Sequence, residues 1–500
     1  MRTPADRPDD ADDAAVMTTP PVAEPLAGRR RPALVVLCLV QFMLVLDDNV
    51  VSVALPGIRD DLGFDTAGLA WTVNAYYLAF GGLLLLSGRV ADLFGRRRVF
   101  LAGVALFGVA SLACGLAQEP WHLVAGRFAQ GAGAALASPA ALSLIALLFP
   151  GTGERAKALG IWGAIAGLGG TTGLVISGAL TGFASWRWIF LVNLPVAALA
   201  LVLLPRLVDE SRARHRTRLD VPGAALGTGA VVSLVFGLLR AGESGWGDVV
   251  VVGPLLLSAI LAGVFLVVES RTAEPLLPSS FLASRTRAVA NGATLLFSAA
   301  FYAMAFLLMI HLQTVLGYGP LKAGFAYLPF GAGILTGMWL SARSVARFGT
   351  RAALVGSFLI SAAGLLLLSG VAPDDGYASG VLPGLLVTSL GCGLSLPALT
   401  VAALTDTDEE DAGLGSALLG SVQQIGGAVG LAVLVTLAAR RGEAPAGSSH
   451  AHDAATEGFR LALTVGAGIL VLGAVVIAAL LGTDRSTSRP AVREGASGKG

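Results

Sequence analysis

Residues 88–98 read GRVADLFGRRR and lie between two apolar runs, at 70–88 and 99–117. Each run is long enough to cross a lipid bilayer as an α-helix, which takes about 20 mostly apolar residues. The segment between them holds four arginines and one aspartate, so it belongs in water beside the membrane. This pattern predicts two membrane-spanning helices joined by a short basic turn.

The composition of the whole chain extends that interpretation. Hydrophobic residues make up 55% of its 500 residues and charged residues only 13%, with a mean hydropathy of +0.75. A soluble domain carries about twice that charged fraction. The net charge of +1 gives no reason to expect a nucleic acid partner, and the 65 glycines are typical of closely packed membrane helices. We therefore expect a membrane protein without a large soluble domain.

Apolar runs recur along the chain and predict fourteen membrane-spanning helices. Of the 34 lysines and arginines, 26 lie at the termini and in or at the edge of even-numbered connections, seven lie in or at the edge of odd-numbered connections, and Arg127 lies well inside a span. Because cytoplasmic loops carry the excess of basic residues, this division predicts cytoplasmic termini and an even number of spans. The acidic loop 405–411 is the one cytoplasmic connection that departs from it. The predicted spans are 33–55, 70–88, 99–117, 121–149, 156–180, 188–205, 221–239, 249–268, 288–316, 323–343, 352–371, 381–404, 412–437 and 460–482.

The basic turn has a second copy. Residues 91–97 read ADLFGRR and residues 346–351 read ARFGTR, so both contain Phe-Gly-x-Arg after the second helix of a six-span block. A chance match is the alternative, but the matched topology favours a duplication, with substrate held between two halves. The predicted organisation is a disordered cytoplasmic N-terminus, a six-helix bundle, a linker with two extra helices, a second six-helix bundle and a disordered cytoplasmic tail, at 1–32, 33–205, 206–287, 288–482 and 483–500.

The basic turn resembles the signature of the loop between helices 2 and 3 in the major facilitator superfamily. Its glycines permit a tight turn and close helix packing, and its aspartate can accept hydrogen bonds from an arginine or a helix N-terminus. In that family the cluster latches the cytoplasmic side in one conformation and releases it in the other. The resemblance implies a cytoplasmic gate, and a merely topogenic basic loop is the alternative. The gate residues would be Gly88, Asp92, Gly95, Arg96 and Arg97.

Further motifs resemble one branch of that superfamily, the fourteen-span drug:proton antiporters of the multidrug and quaternary-ammonium efflux family. They are LDDNVVSVALP at 46–56, WRWIFLVNLP at 186–195, LDVPG at 219–223 and LQTVLGY at 312–318. The resemblance implies an all-α polytopic membrane protein of the major facilitator fold, with two six-helix bundles and two extra helices. It also implies a small-molecule substrate, protons as the coupling ion, the proton gradient as energy source without a cofactor, and a monomer surrounded by lipid in the bacterial inner membrane.

Two positions depart from the branch. The antiporter motif expected in span 5 reads GGTTGLVISG at 169–178, where Leu174 replaces a proline and Ser177 replaces a glycine. The small-residue face remains, but the bend that a proline would introduce is lost. His311 stands where the branch has an apolar residue or tyrosine. It is either a group that titrates near neutral pH or a hydrogen-bonded packing histidine.

Apart from residues within two positions of a span end, four Asp, Glu, Lys, Arg or His residues lie inside the predicted spans: Asp47, Asp48, Arg127 and His311. Such groups are costly in a membrane and are functional by default. Neighbouring residues point about 100° apart on a helix, so the two aspartates cannot both face a central cavity. Within the resemblance, Asp47 matches a fixed acidic position and Arg127 an arginine implicated in proton transfer, whereas Asp48 is variable. We therefore expect Asp47 to carry the coupling proton, with a structural ion pair between spans 1 and 4 as the alternative.

Polar residues in the spans are candidates either for the substrate cavity or for hydrogen bonds between helices. They are Asn49, Asn74, Tyr77, Gln130, His311, Gln423 and Gln424. We predict proton-coupled export of small amphipathic organic compounds, with a proton symporter that imports a solute as the alternative. The sequence contains no clustered His and Cys ligands, nucleophile elbow or phosphate-binding glycine loop, which argues against an enzyme or a metal site.

Overall fold

The chain is built from helices in the part that the computed structural model describes, which comprises residues 27–211, 220–272, 275–276, 281, 283–372, 375–405, 412–442 and 451–482. The helices are α1 (Ala27–Leu62), α2 (Thr66–Phe94), α3 (Arg96–Gly115), α4 (Pro120–Leu148), α5 (Thr152–Phe183), α6 (Trp188–Leu191), α7 (Asn193–Leu207), α8 (Val221–Ser244), α9 (Val249–Arg271), α10 (Arg285–Thr314), α11 (Pro320–Ala326), α12 (Leu328–Ser369), α13 (Leu382–Ala403), α14 (Ala412–Arg441) and α15 (Ala451–Leu480). A π-helical turn, Tyr377–Val381, precedes α13. The segments 1–26 and 483–500, predicted to be disordered, lie outside the described residues, whereas 27–32 form the first turns of α1.

Thirteen helical segments of the described chain are long and apolar enough to cross a membrane. One of them, Pro320–Ser369, contains 50 residues. An uninterrupted helix of that length would measure about 75 Å, more than twice the ~30 Å of bilayer hydrocarbon. Its backbone breaks at Gly349, where φ is 78° and ψ is 160°. The predicted all-α polytopic fold is confirmed, while the count of fourteen crossings, which needs this segment to cross twice, stays a prediction.

The two copies of the Phe-Gly-x-Arg turn have similar backbones. Gly95, between α2 and α3, has a φ of 108°, and Gly349, inside α12, has a φ of 78°. Both values lie in the left-handed region, where an L side chain is strained and glycine is not. We call the end of the molecule near these two turns the Gly95 end. The opposite end, near the turn at Gly63 between α1 and α2, is the Gly63 end.

Helices α1 to α7 pack into a first bundle, α10 and α12 to α15 pack into a second, and the short α11 packs chiefly against α5. In the first bundle α1 packs along α5, and α4 packs against both α2 and α3. In the second, α12 packs along α13, and α10 packs against α14 and α15. The two extra helices lie at the seam, since α8 contacts both α2 and α14, and α9 packs against α8. The centre of the molecule is therefore where α1, α2, α10 and α14 meet.

The bundles approach closely towards the Gly63 end. Gly178 of α5 lies against Pro320 at the start of α11, and Gly324 of α11 lies against Leu174 of α5. A Cβ on either glycine would come within 2.6 Å of a backbone carbonyl oxygen, so glycine is what permits this approach. The small-residue face of span 5 thus serves contact between the bundles. Towards the Gly95 end Gly160 lies five turns from Gly178 on the same face of α5, and no described atom lies within 4 Å of where its Cβ would stand.

Candidate functional site

The opposite charges in spans 1 and 4 meet inside the first bundle. Asp47 of α1 and Arg127 of α4 are both fully buried, and Arg127 Nη1 donates to Asp47 Oδ2 at 2.5 Å. Gly131 allows α4 to lie close to α2, because a Cβ at that position would be 2.4 Å from the backbone oxygen of Tyr76. The small residues that follow the arginine in span 4 therefore help to place its guanidinium group.

Both oxygens of the Asp47 carboxylate are occupied. Oδ2 faces Arg127, while Oδ1 accepts from Gln130 Nε2 at 3.0 Å and from Asn193 Nδ2 at 2.8 Å. Gln130 Nε2 also donates to Ser111 Oγ at 2.8 Å. Oδ1 uses both of its lone pairs, so a proton there would have to displace an N–H donor, and a proton on Oδ2 would neutralise the charge that pairs with Arg127. We call these five residues the Asp47 network.

Arg127 is held by further contacts. Its Nε donates to the backbone oxygen of Thr72 at 2.9 Å, and its Nη1 donates to Gln130 Oε1 at 3.0 Å. The guanidinium carbon lies 4.4 Å from the centroid of the Tyr76 ring, in cation–π geometry. A buried ion pair offsets the loss of hydration only when further hydrogen bonds accompany it. Here those bonds all come from within the first bundle.

The Asp47 network contains residues that the sequence did not single out. The sequence marks Gln130 as a cavity candidate, whereas the structure places it beside Asp47. Asn193 is an amide inside the apolar run of span 6, and that isolation is the signal by which it could have been found. Ser111 carries no comparable signal, because small hydroxyl residues are common where membrane helices pack.

Asp48 adjoins Asp47 in the sequence but has different surroundings. Its side chain leaves α1 about 100° away from that of Asp47. It interacts electrostatically with Tyr77 of α2 and with Tyr302 of α10. Its Oδ1 is buried and has no hydrogen-bond partner among the described residues. The carboxylate therefore faces groups from both bundles and has unused capacity to accept a hydrogen bond.

Other polar groups near this position also have unused hydrogen-bonding capacity. Tyr77 and Tyr302 meet edge to face, with ring centroids 4.8 Å apart. On the same face of α2, Asn74 is fully buried, and neither its amide oxygen nor its nitrogen has a partner in the described structure. Gly81 lies one helical turn after Tyr77 on α2 and packs against Gln424 of α14. The Oε1 atom of Gln424 is likewise buried without a described partner. We call Asp48, Asn74, Tyr77, Tyr302 and Gln424 the central polar cluster.

The remaining cavity candidates lie elsewhere. Asn49 Nδ2 donates to a backbone oxygen of its own helix at 2.8 Å. His311 is buried and stacks on Phe459 of α15, with ring centroids 4.4 Å apart. Gln423 is half-buried on α14, about 100° around that helix from Gln424. Within the described chain, no group of three or more His, Cys, Asp or Glu side chains is placed to hold a metal ion.

The basic turn at 88–98 is organised by its aspartate. Asp92 Oδ1 accepts from Arg96 Nε at 3.1 Å and from Arg96 Nη2 at 2.9 Å, so the contact that the motif suggests is formed. Between the two residues, Gly95 makes the turn with its positive φ. At Gly88, in contrast, no atom of the described residues lies within 4 Å of where a Cβ would stand. Only the second glycine is required by the local geometry.

Arg97 meets Glu210, a residue in the segment after α7 that the sequence did not single out. The Glu210 carboxylate accepts from the backbone N–H groups of Arg97 and Arg98 at the start of α3, each at 3.2 Å. A negative charge stabilises a helix N-terminus because the first N–H groups have no partners within the helix. A Cβ on Gly95 would lie 2.4 Å from Glu210 Oε1, so this glycine also makes room for the carboxylate.

Known proteins are similar to this chain in sequence and in fold. A sequence profile described as the Major Facilitator Superfamily matches residues 37–431. The puromycin resistance protein of Streptomyces alboniger is 41% identical over 463 residues, which cover 90% of each chain. The cephamycin export protein of Amycolatopsis lactamdurans is 40% identical over 411 residues, which cover 81% of this chain and 84% of that protein.

A solved structure agrees in fold. The xylose transporter of E. coli matches with a TM-score of 0.62 at 15% sequence identity, over 92% of this chain and 100% of that one. At this identity the likeness concerns the fold alone. The sequence profile and the more similar sequences also support assignment to a family, because each of them matches most of the chain. This protein is a multi-pass membrane transporter rather than an enzyme, and it belongs to the Major Facilitator Superfamily.

Proposed function

We propose that this chain exports small amphipathic organic compounds, antibiotics among them, in exchange for protons by alternating access. The observation that carries the proposal is its similarity, over most of its length, to proteins named for puromycin resistance and cephamycin export. A transporter confers resistance or performs export by moving compounds out of the cell, which favours efflux over the importing symporter. We place the protein in the bacterial inner membrane, as a monomer whose two bundles rock about the cargo.

The central polar cluster supports a role in binding that cargo. It joins both bundles and combines a carboxylate, two amides and two aromatic rings, with several polar atoms that have no described partner. Buried polar groups are normally satisfied, so unsatisfied ones mark positions that water or a ligand fills. An amphipathic compound needs both aromatic surface and a few polar contacts, and the cluster offers both.

The orientation follows from charge. We take the Gly95 end as cytoplasmic, with both termini on that side, because the connections there hold most of the basic residues. The bundles approach closely at Gly178 towards the Gly63 end, while no described atom lies within 4 Å of a Cβ at Gly160, on the same face of α5 towards the Gly95 end. This arrangement supports a conformation closed to the outside and open towards the cytoplasm. The gate at 88–98 lies on the open side.

The sequence motif favours Asp47 as the carrier of the coupling proton. The hydrogen-bond geometry favours Asp48, and we assign the coupling proton to Asp48. Both oxygens of Asp47 are already occupied by N–H donors, whereas Asp48 Oδ1 has no described partner. The ionisable groups that interact with Asp48 are Asp47, Arg127, Tyr76, Tyr77 and Tyr302. A proton on Asp48 would compete with cargo for the same carboxylate, and such competition couples the two movements.

Efflux measurements test this proposal. Bacterial cells that lack their own drug pumps and express this chain are loaded with a panel of compounds that includes puromycin. We expect export against a concentration gradient, and loss of that export when a protonophore collapses the proton gradient. The matched control is the Asp48→Asn variant at equal membrane abundance. Proton-driven accumulation of a panel compound inside the cells would instead identify an importer and contradict the proposal.

A further inference from the structure

A groove runs between α1 and α5 towards the Gly95 end. It encloses about 770 Å³, within the range of cavities that hold drug-sized ligands. Apolar side chains from the two helices and from the segment after α4 form most of its walls. They include Leu34, Val35, Leu39, Phe149, Ile161 and Leu168. The groove therefore offers an apolar environment large enough for part of a lipid chain or another apolar group.

Basic side chains stand at the mouth of this groove. Arg31 and Lys157 line the groove, while Arg29, Arg30 and Arg155 are neighbours in the sequence of lining residues. Glu154 is the one acidic lining residue, and its carboxylate lies 3.7 Å from Arg30. Helix α5 begins at Thr152, so a helix N-terminus with partial positive charge lies at the same end. The mouth of the groove is cationic, whereas its interior is apolar.

The groove faces away from the central polar cluster. Leu39 lies nine residues before Asp48 on α1, which at about 100° per residue places it on the opposite side of the helix. Val35 lies about 140° from Asp48 by the same reckoning. Both side chains are substantially exposed, Val35 by 57% and Leu39 by 37%. In a membrane-spanning bundle, apolar surface exposed on the side away from the centre borders lipid.

We propose that the groove holds one anionic phospholipid from the leaflet at the Gly95 end. An acyl chain would lie along the apolar walls, and the headgroup phosphate would lie between Arg31 and Lys157. An apolar groove alone would accept the tail of any lipid. Arg31 and Lys157 on the lining, with Glu154 offset by Arg30, select a negative headgroup, and the N-terminus of α5 adds to that selection. This site is separate from the cargo site and does not depend on what the protein transports.

Native mass spectrometry of the purified full-length protein tests the headgroup preference. The protein is incubated in detergent with equal amounts of phosphatidylglycerol and phosphatidylcholine, and wild type should retain one phosphatidylglycerol in preference. The double variant Arg31→Gln/Lys157→Gln should retain it about thirtyfold less well, the factor that corresponds to about 1 kcal/mol for each basic residue. The matched control Arg343→Gln/Arg347→Gln removes two exposed arginines near the second turn and should retain it like wild type.

A second pair of variants tests the apolar part without changing charge. Leu39→Trp fills the groove and should lower retention, whereas Val475→Trp, at an exposed position of α15, should not. Wild-type retention by the double glutamine variant, or equal retention of the two lipids by wild type, overturns the proposal and leaves the basic cluster as a topology signal. Displacement of the lipid by puromycin also overturns it, because the groove would then be a cargo site.

Discussion

Asp47 and Asp48 are neighbours in the sequence and have opposite environments. Asp47 accepts from Arg127, Gln130 and Asn193, all within the first bundle. Asp48 faces both bundles, and one of its oxygens has no described partner. A charge inside a membrane protein can thus have one of two roles. A satisfied charge holds helices together, whereas an unsatisfied one at a central position remains able to bind a proton or cargo.

The same contrast separates the buried amides. Gln130 and Asn193 use their side chains within the Asp47 network. Asn74 and Gln424 belong to the central polar cluster and have buried amide atoms without described partners. Residue type therefore does not distinguish the two regions. The number of hydrogen bonds that each group has made does distinguish them.

The largest effect on stability is expected for Arg127→Ala. This change leaves the Asp47 carboxylate buried without its counter-charge, which costs about 3–5 kcal/mol of unfolding free energy. The yield of folded protein in detergent, measured by size-exclusion chromatography and thermal unfolding, should fall strongly. Replacing both charges, in Asp47→Leu/Arg127→Met, should recover part of that yield because no lone charge remains. Wild-type stability of the single variant would mean that the Asp47 network does not hold the bundle together.

The next largest effect should separate the aspartates in transport. Asp48→Asn should leave folding intact and abolish uphill efflux, because an amide cannot take up and release a proton. Asp47→Asn should also cost about 3–5 kcal/mol of unfolding free energy, because it leaves Arg127 buried without its counter-charge, and the folded fraction should still export. Everted membrane vesicles with an imposed pH gradient measure both variants. If well-folded Asp47→Asn is inactive while Asp48→Asn remains coupled, the proton belongs to Asp47, as the motif alone predicts.

Two glutamines give a smaller and more closely matched comparison. Gln130 makes hydrogen bonds to Asp47, Ser111 and Arg127, so Gln130→Ala should lower the free energy of unfolding by about 1–3 kcal/mol. Gln424→Ala removes a buried acceptor without a described partner, so stability should hold while the KM for cargo rises. Thermal unfolding and concentration-dependent efflux measure the two effects. Equal destabilisation by both changes would contradict the proposed difference between the Asp47 network and the central polar cluster.

The smallest effects are expected at the basic turn. It lies outside the Asp47 network and the central polar cluster, so variants there serve as a reference for the effects in those two regions. Gly95→Ala puts a side chain into a left-handed backbone and against Glu210, at a cost of about 1–2 kcal/mol. Gly88→Ala is the matched control, because its Cβ would meet no atom of the described residues within 4 Å. It should be neutral or slightly stabilising in a helix. Unfolding measurements in detergent that rank the two variants equally would exclude this account of the turn.

The fold class could be predicted from the sequence because a bilayer acts on each segment separately. A span must be apolar over about 20 residues, and its backbone must satisfy its own hydrogen bonds, so each helix is visible as a run. Charges inside such runs are costly, which makes Asp47, Asp48 and Arg127 conspicuous without any structure. The turn at Gly95 is also local, since its glycines, aspartate and arginines lie within a few residues of one another.

Only the tertiary structure decided which of the two aspartates is satisfied. The donors to Asp47 come from residues 80, 83 and 146 positions away in the sequence. The contact of Glu210 with the start of α3 spans more than a hundred positions in the same way. Hydrogen bonds of this kind depend on how closely helices approach, and glycines such as Gly131 set that approach only once the helices are packed. Features that depend on one segment, such as an apolar span or a glycine turn, can be predicted from the sequence. Hydrogen bonding between helices that are distant in the sequence is decided by how the helices pack.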